Sequence, residues 1–275
     1  MNPDDKTPST WLLTGAAGTL GRVLRAPLGR ACHRLRLSDR LPLAGGLAAH
    51  EEQQPCDLAD RAAVQALLQG VDAVVHLGGV SVESPYEQIA PANLDGVFHL
   101  YEAARLAGTR RIVFASSNHV TGGYERGAAL SPQDQPRPDG YYGLSKLFGE
   151  GMARLYWDRY GIESVCLRIG TATAEPPDAR ALSTWLSHAD LQRLVLAALR
   201  APAVGCLTVY GVSANPERWW SEDGWAQIGY RPQDSAEAWR ASVGAIDFPA
   251  GTPMARLQGG SFLGLGPFET QRAKP

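Results

Sequence analysis

Short apolar runs alternate along the chain with longer stretches in which apolar residues recur every three or four positions. Trp11–Leu13, Val71–Val80, Arg111–Ser117, Glu163–Ile169 and Cys206–Tyr210 read as strands. Val71–Val80 is apolar almost throughout, as a parallel strand covered on both faces requires. His33–Asp39 alternates and ends on an acid, and Gln53–Leu58 reads as a short further strand. Helical spacing covers Leu20–Leu28, where Pro27 is expected to end the helix early. It recurs over Asp60–Gln69 behind an Asp60 N-cap, and over Asn93–Ala107, where Leu94, Val97, Phe98, Tyr101 and Ala104 are expected in the core. Tyr141–Tyr160 is a further helix, and Ser187-His188-Ala189-Asp190 forms a capping box for one that stops before Pro202. Strands and helices alternating every 25–30 residues or so, roughly, predict an α/β fold with a doubly wound parallel sheet. The pattern loosens after Gly170, so a single unit over 1–275 is expected, with a core at 10–170 and a small C-terminal lobe and tail at 171–275.

Composition narrows the partners. The chain has 275 residues, 26 basic against 28 acidic, and a net charge of −2 with no basic stripe, which argues against nucleic acid or an anionic membrane as principal partner. Cys32, Cys56, Cys166 and Cys206 show no Cys-x-x-Cys spacing, so no metal site or redox pair is expected, and reduced thiols are. The first six residues are polar, and no run approaches the ~20 apolar residues of a membrane span. A cytoplasmic protein is expected. Trp219, Trp220, Trp225 and Trp239 near the end fit either a core or a subunit interface, and a homo-oligomer is expected.

Between the first strand and the first helix lies Thr14-Gly15-Ala16-Ala17-Gly18-Thr19-Leu20-Gly21. A glycine turn onto a helix N-terminus lets a pyrophosphate approach unpaired amides and the positive end of the helix dipole. Asp39, 18 residues after Gly21, stands where an acid would accept from an adenosine ribose and repel a 2′-phosphate. It favours NAD, while Arg40 beside it pulls the other way, and an acid there is equally what opens a surface turn. Asp57 and Leu58 would bracket an adenine, or Asp57 would cap a helix. The fold expected is therefore Rossmann-type.

The chemistry points to Tyr142 and Lys146, four apart on a helix and so on one face. A free phenol with a pKa of about 10 is a poor base, and a nearby ammonium is expected to draw it down. Ser117, at a strand's carboxyl end, faces the same crevice and could hold a reacting oxygen.

The glycine turn together with Ser117, Tyr142 and Lys146 resembles the extended branch of the short-chain dehydrogenase/reductase superfamily over residues 10–170. His76–Ser81, Ser116–Val120, Leu182–Ser187 and Gly211–Asn215 with Trp219-Trp220 are similar to the bacterial uronate dehydrogenases, which extends the likeness over nearly the whole chain. That resemblance implies oxidation of galacturonate or glucuronate at the anomeric carbon by NAD, giving the aldaric acid lactone. It implies cofactor contacts from Gly15, Gly18, Thr19, Leu20, Gly21, Asp39, Arg40, Asp57, Leu58, Leu77, Gly78, Gly79, Ser116 and Ile169, besides Tyr142 and Lys146. It places Ser81, Asn118 and His119 on sugar hydroxyls with Ser117 and Tyr142. Thr171 would line the pocket, where a serine is usual, and Arg180 would bind the carboxylate. A guanidinium suits a carboxylate through its planar fork, but chain position alone does not separate Arg180 from Arg168 or Arg193. His119 by itself reads as a buried histidine satisfied by backbone. Two other functions fit the glycine turn. A nucleotide-sugar epimerase or dehydratase needs a larger lobe than follows Gly170, and a non-catalytic NAD-binding redox sensor often lacks the tyrosine or lysine present here.

Overall fold

The structure is a computed structural model that describes residues 9–266 and 268. The ends of the expected unit lie outside the described residues. The elements in chain order begin with β1 (Thr10–Thr14), α1 (Thr19–Gly29), β2 (Arg34–Ser38), β3 (Glu51–Gln53), α2 (Arg61–Leu67) and β4 (Ala73–His76). They continue through α3 (Tyr86–Ala90), a π-helical turn at Pro91–Asp95, α4 (Gly96–Ala107), β5 (Arg111–Ser117), a 3-10 turn at Asn118–Thr121 and α5 (Tyr141–Tyr160). Then come β6 (Glu163–Ile169), β7 (Thr171–Ala172), α6 (Ala181–Thr184), β8 (Trp185–Leu186), α7 (His188–Arg200) and β9 (Cys206–Gly211). Seven strands form one sheet in the order β3-β2-β1-β4-β5-β6-β9, and every pairing is parallel.

Period-two burial builds the two layers. Leu12, Ile112 and Phe114 face one side with Val64, Leu100, Tyr101 and Met152, while Leu13, Val113 and Val165 face the other with Leu24, Leu28, Leu191 and Leu194. A sheet buried on both faces explains why its central strands read as unbroken apolar runs. The sheet's edge strand β9 and the covering helix α7 come from beyond residue 170, so the first 170 residues do not close the sheet by themselves. The order reverses between β1 and β4, and there the carboxyl ends open a crevice.

Asp60 caps α2 as the sequence predicts, accepting from the Ala62 and Ala63 amides. At α7 Ser187 accepts from the Asp190 amide, but the box does not close, because Ser187 N donates to Ser213 Oγ at 3.0 Å and the Asp190 carboxylate is taken by Ser213, Gln233 and Asp234. Three further expectations need correction. α1 runs through Pro27 to Gly29, because a proline in the last turn costs one amide bond and its buried ring packs in the core. The third strand is Glu51–Gln53 rather than 53–58, since Pro55 has no N–H for the ladder; Gln54 N still donates to Leu37 O at 3.0 Å. Phe98 is 40% exposed on the outer face of α4, and Leu94 is only half-buried, in the π-helical turn before that helix. The tryptophans are mainly core, with Trp220 and Trp225 buried and Trp219 and Trp239 half-buried.

Candidate active site

The crevice is a cavity of about 1050 Å³, and every residue expected at the site borders it, from Gly15 to Arg180. Its dinucleotide half is set by backbone. Gly15 has φ +70°, and a Cβ there would lie 2.8 Å from the Leu77 carbonyl carbon; one on Gly21 would overlap the Gly15 carbonyl. Only glycines close this turn. α1 starts at Gly18 with no side chain on its first amides, which leaves those donors for an anion. Asp39 fastens the turn to the end of β2, Oδ2 accepting from Ala17 N and Oδ1 from Leu41 N, each at 2.9 Å. Arg40 borders the cavity beside it. Asp57 is not the helix cap, which is Asp60; its Oδ1 accepts from Ala59 N at 3.0 Å in a local turn, and the residue lines the cavity beside Leu58. A bare helix N-terminus behind a glycine turn, with a fixed carboxylate beside it at the end of β2, fits a dinucleotide of the NAD type.

Leu77–Gly79 leaves β4 to form the next part of the wall. Asn93, in the π-helical turn, holds it: Oδ1 accepts from Val80 N at 2.8 Å, while Nδ2 donates to Val80 O and to Ser145 Oγ, each at 3.0 Å. Ser116 turns its hydroxyl to Glu150 Oε1 at 2.6 Å, away from the crevice, as strand alternation with Ser117 demands. Ser117 caps the 3-10 turn, its Oγ accepting from His119 N at 3.2 Å.

Tyr142 and Lys146 project from α5 into the crevice, both buried, with Nζ 5.4 Å from the phenol ring centroid. Burial pushes the phenol up to about 12 against a lowering hydrogen bond from Ser117, and burial pulls the Lys146 ammonium down to about 8. The expected lowering of Tyr142 by Lys146 is therefore not met in the ligand-free protein. Both groups pay desolvation, so the lysine loses its charge first.

The sugar half contains partners that no local pattern announces. His119 Nδ1 is bonded to Asp139 Oδ2 at 2.7 Å, a side-chain partner in place of the backbone one, and its ring stacks on Phe262 at 3.9 Å. Ser81 borders the cavity from the exposed loop after β4. The three arginines separate cleanly. Arg168 is bound twice by Glu150, and Arg193 pairs with Asp190 and Asp234. Arg180 is buried at the cavity wall, and among the described residues no carboxylate pairs with it. Its Nε donates to Gln258 O at 2.7 Å and Nη1 to Thr171 Oγ1 at 2.9 Å and Thr184 Oγ1 at 3.2 Å. The Asn118 amide, with its nitrogen on Ile169 O, turns its oxygen to Nη2 at 3.0 Å. Burial lowers this guanidinium to about 10. Four neutral acceptors orient it and none cancels its charge, although with so many N–H groups engaged the fork is not open on both prongs.

Comparison with known proteins agrees with this geometry. The family model described as "NAD dependent epimerase/dehydratase family" matches residues 11–205. A uronate dehydrogenase of Pseudomonas syringae pv. tomato is 53% identical over 94% of each chain. An NAD-dependent glucose-6-phosphate dehydrogenase of Haloferax volcanii is 34% identical over 82% of this chain and 93% of its own. The crystal structure of a point mutant of uronate dehydrogenase from Agrobacterium tumefaciens complexed with NAD superposes with a TM-score of 0.90 at 46% identity, covering 95% of this chain and 99% of that one. Fold, cavity and likeness converge, and the chain belongs to the NAD dependent epimerase/dehydratase family, among its uronate dehydrogenases.

Proposed function

We propose that this protein oxidises a free hexuronic acid, galacturonate or glucuronate, at the anomeric carbon and releases the aldaric acid lactone. The observation that carries the substrate class is Arg180, a buried cation at the cavity wall whose hydrogen-bond partners are all neutral, with Asp178 and Asp139 near it but, among the described residues, no carboxylate in ion-pair contact. A carboxylate on the substrate supplies that contact, with Thr171 beside the guanidinium.

When bound, NAD supplies the hydride acceptor, and Gly15, Gly18, Gly21, Asp39 and Asp57 are the residues that would hold it. The side chains manage the proton. Ser117 and Tyr142 receive the anomeric hydroxyl between them, and Tyr142 Oη takes its proton as the carbon–hydrogen bond gives up hydride and C1 becomes a carbonyl. Burial raises the phenol, so its oxygen needs donors to serve as a base. Ser117, the substrate hydroxyl and the Lys146 ammonium provide them. Ser81, Asn118 and His119 hold the remaining hydroxyls. Residues 10–170 then act chiefly as the cofactor core and 171–275 as the sugar lobe.

The test is NAD reduction with galacturonate and glucuronate beside the neutral hexoses and UDP-glucose. The uronates should be turned over, with kcat/KM for neutral hexoses lower by about 100-fold for want of one charged contact. Preference for UDP-glucose would favour an epimerase or dehydratase, and NAD binding without reduction a sensor. Tyr142→Phe should bind NAD and fail to turn over.

A homodimer through α4 and α5 is part of this reading. Phe98 and Leu106 on α4, and Tyr141, Leu144, Phe148 and Leu155 on α5, are exposed on the two helices that pack side by side. A second copy presenting the same two helices would bury them. Leu144→Glu with Phe148→Glu should give a monomer in sedimentation, and an unchanged wild-type mass would exclude this face. The four cysteines are free, which supports a reducing compartment such as the cytoplasm. No helix among the described residues is long and apolar enough to cross a membrane.

A further inference from the structure

We propose that Glu150 and Arg168 are positioning residues that set the spacing between Ser117 on the sheet and Tyr142 and Lys146 on α5. The proposal rests on those three side chains being the reacting groups. Glu150 is four residues beyond Lys146, on the face of α5 that carries Tyr142 and Lys146. Its carboxylate is grasped from three directions. Oε1 accepts from Ser116 Oγ at 2.6 Å and Arg168 Nε at 2.9 Å, and Oε2 from Arg168 Nη2 at 2.8 Å.

Ser116 immediately precedes Ser117, and Arg168 on β6 pairs in register with Ser116 on β5. The carboxylate therefore ties the helix to the strand residue next to the reacting hydroxyl. The chain of contacts continues outward: Arg168 Nη1 reaches Tyr210 on β9 at 3.4 Å, Tyr210 bonds Thr121 at 2.9 Å, and Thr121 donates to Asn118 O at 3.2 Å. It closes on the turn that follows Ser117.

A buried ion pair is a poor source of net stability, because desolvation offsets the attraction and a packed apolar pair does as well. Here the Glu150 and Arg168 side chains are 9% and 3% exposed, so the desolvation is nearly complete. What a two-pronged guanidinium–carboxylate contact offers beyond an apolar pair is direction. An apolar pair would let α5 slide or roll on the sheet by a fraction of an ångström. A displacement of that order between reacting groups costs as much as about 100-fold in rate.

The test compares wild type with Glu150→Gln, with Ser116→Ala, and with the apolar pair Glu150→Leu/Arg168→Met, which keeps the core filled. In each folded variant, kcat should fall, by about 10- to 100-fold in the paired replacement. KM for the uronate and for NAD should stay within about threefold, since no ligand contact is lost. The melting temperature of the paired variant should equal or exceed that of wild type. An ultraviolet titration of Tyr142, isolated by subtracting the Tyr142→Phe spectrum, should shift in the paired variant without any substrate present. Wild-type kcat in a folded Glu150→Gln, or in the paired variant, overturns the proposal, as does an unmoved phenol titration. Ser116→Ala keeps the ion pair and tests the tie to β5 should the others fail to fold; full kcat there also counts against it. Failure of the proposed reaction itself would instead show as an inactive wild type.

Discussion

Glu83 accepts the main-chain N–H of Tyr142 through Oε2 at 2.8 Å and that of Tyr141 through Oε1 at 2.9 Å. A carboxylate from the loop that carries Ser81 thus caps the helix that carries the phenol, where the helix dipole favours negative charge. Gly140, the N-cap, has no side chain because one would overlap Glu83. Glu83→Ala should cost about 1–2 kcal/mol of stability through loss of the cap. It should also lower kcat more than it raises KM for NAD. Urea unfolding and steady-state kinetics on the one variant check both, and an unchanged kcat would confine Glu83 to stability.

His76 makes the fold acid-sensitive. Thr14 Oγ1 accepts from Gly78 N at 3.1 Å and is hydrogen-bonded to His76 Nδ1 at 2.8 Å. Burial first, and then the Lys146 charge, depress His76 to about 3. A base depressed on folding binds its proton in the unfolded chain first, at about 6.5. Its contribution is therefore intact above pH 6.5 and is lost as pH falls from there toward 3, by about 1.4 kcal/mol per pH unit. His76→Gln should remove that slope. Urea unfolding of both proteins at successive pH values between 7 and 4 measures the difference, and parallel curves would refute it.

Arg180→Met should raise the uronate KM by about 100-fold while leaving KM for NAD within about threefold. Arg180→Lys should recover little, because an ammonium cannot span Gln258 O, Thr171, Thr184 and Asn118 at once. Equal effects on both substrates would remove Arg180 as the carboxylate's partner. Thr184→Val, which loses one bond to the guanidinium and touches no ligand, should move the uronate KM in the same direction by less.

The long amphipathic or apolar elements were legible in residue order. α5, β5 and β6 have the bounds that the pattern predicts, because β5 and β6 are short, largely apolar runs and α5 is bracketed by Gly140 and Gly161. β3 was not, because its three residues are polar and on the sheet's edge strand, where pairing with β2 decides register. Phe98 shows the limit of helical spacing. It shares an arc with Val97 and Tyr101, but which side of the arc meets the sheet depends on how α4 rolls against α2 and α5. The cavity residues carried by glycine turns and strand ends were readable from topology. Glu83, Asp139 and Gln258 were not, since each acts on a residue distant in sequence. The ionisation of Tyr142 was misjudged for a related reason: spacing reveals the nearby ammonium but not the burial that outweighs it.

Gln258 completes the site from the end of the chain. Its carbonyl takes Arg180 Nε, while its side chain accepts from Trp220 Nε1 and donates to Glu125 O and Ala128 O. A chain stopped short of Gln258 would keep the glycine turn and Asp39 yet lose the carbonyl that holds Arg180 Nε and the side-chain amide that fastens this end of the lobe to Glu125 and Ala128.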